Sequence, residues 1–152
     1  MARPDFGGRV VGGEVSTRDA LTHVLFRDPP LANFCFSYPR RPQLVGDTWV
    51  PAHQPVVIGL AACNHDPDVW GSNIFGNESH LGLGTGLHRC PARLPAELIA
   101  GEAIDQLLDA LPEMKPATPS ERLRWRPGPF HRALEELPVV FTPVPPLTVP
   151  NR

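Results

Sequence analysis

Apolar residues at Ala20, Leu21, Val24 and Leu25 recur at helical spacing, and Ser16 with Asp19 can close the first turn of that helix. The helix must stop before Pro29-Pro30, because a residue ahead of proline avoids helical geometry. Residues 31–57 then change to a pattern of strands and turns. Ala32 to Tyr38, Gln43-Leu-Val45, Thr48-Trp-Val50 and Pro55-Val-Val-Ile58 are the candidate strands, with a turn at Gly46-Asp47. Ala61-Ala-Cys63 reads as a short helix ahead of an Asn64-His-Asp-Pro67 turn, and residues 66–79 read as irregular loop. The strongest periodicity runs from Pro91 to Leu111. Ala96, Ile99, Ala100, Ala103, Ile104, Leu107, Leu108 and Leu111 form one stripe, with Glu97, Glu102, Asp105 and Asp109 on other faces. That stripe is expected to pack into the core rather than to form a partner groove. Leu123 to Phe141 suggests two short strands around Pro127-Gly-Pro129, and residues 1–15 show no periodicity and read as a loose lead-in.

Composition narrows the class. A chain of 152 residues with 41% hydrophobic and 20% charged residues fits one globular domain. Twenty prolines favour short elements and ordered loop, since each fixes its own φ and removes an amide donor. The formal net charge of −2 gives no electrostatic reason to expect nucleic acid. No apolar run approaches the length of a bilayer crossing, and the N-terminal residues lack the apolar centre of a secretory signal, so the cytoplasm is the expected location. Cys35, Cys63 and Cys90 form no disulfide framework. Cys35 is expected to fill the core from its strand.

The chemistry concentrates in His80-Leu-Gly-Leu-Gly-Thr-Gly-Leu-His-Arg-Cys90-Pro-Ala92. Gly82, Gly84 and Gly86 let the backbone bend sharply and approach a flat ligand closely. Cys90 directly precedes the long helix, whose N-terminal amides and dipole favour a thiolate. A thiolate so placed is a soft, electron-rich iron ligand. An isolated cysteine is more often an inert buried thiol; the glycines and His88 are what argue for a ligand. Cys63 with His65, and His88 with Cys90, lack the Cys-x-x-Cys knuckle that zinc sites use.

On these residues the chain resembles the cytochrome P450 family, whose signature is Phe-Gly-x-Gly-x-His-x-Cys-x-Gly. Gly84, Gly86, His88 and Cys90 match in identity and spacing, while Leu83 replaces the aromatic and Ala92 the last glycine. The likeness runs from about residue 16 to about residue 142, with residues 143–152 a Pro-rich tail. Ala61 to Pro67 and Trp125 to Arg132 look like actinobacterial members. The resemblance implies a mainly α fold with small β-sheets, the truncated C-terminal part of the cytochrome P450 fold. It implies haem b as cofactor, Cys90 as axial ligand of the haem iron and His88 at a propionate. Leu83, Gly84, Gly86 and Ala92 would shape the loop beneath the porphyrin. It further implies monooxygenase activity on a small organic substrate, electrons from a ferredoxin-type partner, and an upstream-encoded P450 N-terminal part. Arg89 and Arg93 are a candidate patch for the acidic redox partner.

Several positions depart from the pattern. The family's Glu-x-x-Arg falls on His23-Val-Leu-Phe26, Ser37 stands where an arginine often meets a propionate, and His53 stands where a turn glycine is expected. Nothing in the chain matches the helix that covers the distal haem face. These departures motivate a second reading, a non-catalytic P450-like relic or an auxiliary protein that stabilises a partner.

Overall fold

The computed structural model describes residues 6–69 and 76–143, with Cys35 described in its backbone only. The side chain of Cys35, expected in the core, and the tail beyond Pro143 lie outside the described residues.

Helix α1 (Phe6–Val11) occupies part of what the sequence suggests is a loose lead-in, and the stacking of Phe6 on His23, with centroids 4.7 Å apart, holds it. A six-residue helix is too short to display a repeat, so its support comes from that contact. Helix α2 (Thr17–Arg27) starts as expected. The Ser16 hydroxyl accepts from the Asp19 amide at 3.1 Å and donates to its carboxylate at 2.7 Å. Its C-terminal cap, Asp28, precedes the buried Pro29.

Strands β1 (Phe34–Ser37) and β4 (Val56–Ile58) pair antiparallel around a hairpin of β2 (Gln43–Val45) and β3 (Thr48–Val50). Gly46, at φ +57°, makes the tight connection between β2 and β3. His53, at φ +62°, is the one non-glycine residue with positive φ among the described residues, the strain expected where a glycine is missing. Helix α3 (Leu60–Asn64) falls where a short helix is expected. Helix α4 (Arg93–Ala110) begins two residues later than the periodicity suggests. In the tail, β5 (Lys115–Pro116) and β6 (Val139–Val140) form the sheet. The segment expected to be the first tail strand contributes a single bridge, Trp125 to Leu134.

The core is small and lies where α2, α3 and the glycine-rich loop meet. Val15, Phe26 and Leu60 are its buried hydrophobic residues, joined by the buried polar Thr22, Asn64 and His80. The expectation that the α4 stripe packs into this core is corrected. No residue of α4 is fully buried: Ala100, Ile104 and Leu108 are half-buried against α2, whereas Ala96, Ile99, Ala103 and Leu107 are exposed. Periodicity reports an apolar face but not whether the same chain covers it. No helix among the described residues is long and apolar enough to cross a membrane.

Candidate haem-ligating loop

The loop from His80 to Ala92 is anchored at its base by a residue that the sequence pattern does not single out. Asn64 and Leu60 lie four apart on α3 and share its inward face. The fully buried Asn64 side chain donates to the carbonyls of Leu25 and Phe26 at 3.0 and 3.1 Å. Its carbonyl accepts the Leu81 amide at 2.7 Å. One amide therefore satisfies two last-turn carbonyls of α2 and fixes the start of the loop. Gly82 passes tightly over α2, where a Cβ would lie 3.0 Å from the Leu25 carbonyl oxygen.

The bend itself is closed by backbone bonds. The Gly84 amide donates to the Leu81 carbonyl at 2.8 Å, and the Cys90 amide donates to the Leu83 carbonyl at 2.8 Å. Gly84 sits at φ +68°, and a Cβ there would collide with the carbonyl oxygen of His88. Gly86 has φ +56° and open space around it, so it is required for conformation alone. A 3-10 turn over Gly86–His88 follows and leaves Leu87 and His88 exposed. The loop thus brings Leu83, Gly84, Gly86, His88, Cys90 and Ala92 onto one short stretch. The Cys90 sulfur-bearing side chain is partly accessible rather than sealed in hydrocarbon. Helix α4 starts at Arg93, with Ala92 as N-cap and no side-chain capping bond.

Cys90 is thus a free, partly accessible thiol on a bend closed by backbone hydrogen bonds, and no cluster of three His, Cys, Asp or Glu side chains forms among the described residues. Cys63 is exposed on α3.

Behind the loop, His80 is 3% exposed, edge-on to Phe26 with centroids 5.6 Å apart. Neither of its ring nitrogens has a hydrogen-bond partner among the described residues. Burial holds its pKa below the usual 6.5, and the nearby Arg93 cation adds to that, with Glu97 and Glu78 opposing. Arg93 is not the free docking cation expected of it. Its side chain is 12% exposed and bonds Glu97 at 2.8 Å and Glu78 at 3.4 Å. Glu78 also holds Arg18 of α2 at 2.6 Å, so this network ties the loop to both helices, while Arg89 stays exposed. The positions of the missing charged pair are filled by rings: Phe26 is fully buried and His23 stacks on Phe6.

No protein-family model matches the chain. It is similar to cytochrome P450 107B1 of Saccharopolyspora erythraea, with 31% identity over 126 residues, covering 79% of this chain and 31% of that protein. Nocardicin C N-oxygenase of Nocardia uniformis is 36% identical over 106 residues, covering 64% of this chain and 26% of that protein. Among solved structures, the tirandamycin C-bound P450 monooxygenase TamI superposes with a TM-score of 0.80 at 28% identity, over 89% of this chain and 35% of its own. CYP154C4 from Streptomyces sp. W2061 gives 0.82 at 26% identity, over 90% and 35%. The chain spans about a third of the length of these structures. The cysteine loop, the helix behind it and these likenesses together make the chain a member of the cytochrome P450 family, carrying part of the P450 fold.

Proposed function

We propose that this chain is the haem-thiolate part of a P450 monooxygenase, with Cys90 as the axial ligand of haem b. The observation that carries the reading is the partly accessible Cys90 on a bend closed by its own amide, in which Gly84 admits no side chain. His88 is exposed on the same loop and would donate to a propionate. Leu83 and the glycine backbone would lie against the porphyrin, and Ala92 would let the chain pass into α4. Bound haem supplies the redox and oxygen chemistry, with the thiolate lending electron density. The protein's part is to hold the sulfur in one place, and Asn64 does so from below. The substrate is a small organic molecule, electrons come from a ferredoxin-type protein, and the rest of the fold supplies the second wall of the haem site. Arg89 remains the exposed cation of the loop for an acidic partner.

The test is reconstitution with haemin and the reduced carbon-monoxide difference spectrum. A red-shifted thiolate band that disappears in Cys90→Ala supports the reading; no such band, alone or with the remainder of a P450 fold, rejects it. The buried Phe26 in place of a charged residue favours a second reading, a non-catalytic P450-like protein that stabilises a partner. Unchanged cellular function in Cys90→Ala would support that alternative.

A further inference from the structure

A cleft of about 320 Å³ lies between residues 78–80, the bend at Thr85 and the start of α4. Neither Cys90 nor His88 lines it, so it is separate from the thiolate. Its donors and acceptors do not balance. Among the described residues its one carboxylate is Glu78, which already holds Arg18 and Arg93. Arg89, Ser79 and Thr85 also line it and are exposed, and their side chains make no hydrogen bond or ion pair among the described residues. Of the residues around the cleft only His80 is buried, 3% exposed, with neither ring nitrogen partnered. Arg93 opens α4, whose N-terminus has no side-chain cap and presents the positive end of an 18-residue helix.

We infer that this cleft binds a small tetrahedral oxyanion of the sulfate or phosphate class, held by the Arg89 guanidinium, the Ser79 and Thr85 hydroxyls and the N–H of His80. Every side chain left over around the cleft can donate, and a guanidinium can only donate. A metal cation would find no free carboxylate there, and an apolar guest would leave the buried imidazole as unpaired as before. An oxyanion accepts in every direction, and since Glu78 offsets Arg93, its charge is met by Arg89. Burial and Arg93 hold the His80 pKa below 6.5, with Glu97 and Glu78 opposing, so at neutral pH the ring is uncharged and keeps one N–H to give. The bound anion also takes Arg89 away from an acidic redox partner. That consequence rests on the proposed function; the binding does not.

The probe is inorganic sulfate, titrated against chloride at constant ionic strength into the full 152-residue chain labelled with nitrogen-15. Saturable shifts are expected at the Thr85 and Gly86 amides and at the His80 ring nitrogens. Arg89→Ala, at an exposed position, weakens binding at least about tenfold, and His80→Phe at least about threefold, with far-UV circular dichroism confirming that each variant is folded. Arg124→Ala, which removes a cation paired with Glu135 and outside the cleft, changes it less than about twofold. Glycerol phosphate in a parallel titration tells the source. Binding as tight as sulfate extends the site to phosphomonoesters, and tenfold weaker binding confines it to the free ion; both keep the oxyanion. Shifts that rise without saturating overturn the inference, as does equal affinity in the parent chain and Arg89→Ala. Sulfate binding without the thiolate band removes the proposed function and leaves this site standing; the band without sulfate binding does the reverse.

Discussion

Replacing Asn64 by alanine removes a side chain that joins α2, α3 and the cysteine loop. Three hydrogen bonds of 2.7 to 3.1 Å are lost at a fully buried position. Each such bond contributes about 1 kcal/mol net, and the Leu25 and Phe26 carbonyls and the Leu81 amide stay behind without it. The loss is therefore at least about 3 kcal/mol, which in a chain of this size lowers Tm by roughly 6–12 °C. Urea unfolding followed by circular dichroism measures the total, and hydrogen exchange at the Leu81 amide reports the local part. Asn64→Asp sharpens the test. A carboxylate in the same place faces two carbonyl oxygens without a proton to donate, so the loss at neutral pH exceeds that of alanine. It shrinks as acid restores a carboxyl proton. A loss below about 1 kcal/mol for Asn64→Ala, with Leu81 exchange unchanged, refutes the view that this amide anchors the loop.

The two loop glycines separate sterics from conformation. Gly84→Ala meets both a positive φ and the His88 carbonyl and is expected to cost about 3 kcal/mol and abolish the thiolate band, whereas Gly86→Ala meets φ alone and costs about 1 kcal/mol; equal effects would contradict the geometry. His53→Gly relieves the positive φ of an exposed residue and should raise stability by about 0.5–1 kcal/mol in the same urea assay. His80 has a folded pKa below its ordinary 6.5, so the unfolded chain binds its proton first as pH falls. Its contribution is intact above pH 6.5 and is lost below it, and His80→Phe should flatten that acid-side decline; parallel slopes for the two proteins would count against it.

Much of this was legible from local rules. The Ser16 cap, the Gly46 turn, the strained His53 and the glycine bend before Cys90 each depend on a few neighbouring residues, and each is found where the pattern puts it. What escaped depends on distant contacts. Asn64 looks like part of a turn, because its partners are 17 to 39 residues away in sequence. Arg93 looks like a surface cation because Glu78 lies 15 residues before it. The α4 stripe shows its apolar face plainly, yet Ile99 and Leu107 are exposed, since periodicity reports an apolar face and not what covers it.

The two aromatic residues at the Glu-x-x-Arg positions and the orphaned imidazole have one physical cause. Phe26 is fully buried and meets His80 edge to face, an arrangement that stabilises by ring contact but offers the imidazole no acceptor or donor. A buried polar group left in that state costs about 1–3 kcal/mol. The apolar ring that enlarges the small core of Val15, Phe26 and Leu60 therefore strips the base of the cysteine loop of a polar tie at the same point. The remaining polar tie within that core is Asn64, supplemented from the partly exposed side by Glu78 and Arg93. The loop base is thus held through the α2 carbonyls that Asn64 bonds, beside the Arg18–Glu78 pair on the exposed side. A double-mutant cycle of Asn64→Ala with His80→Phe tests this arrangement. Coupling of at least about 0.5 kcal/mol is expected for side chains that secure one loop base, and strict additivity would show that they act on separate parts of the fold.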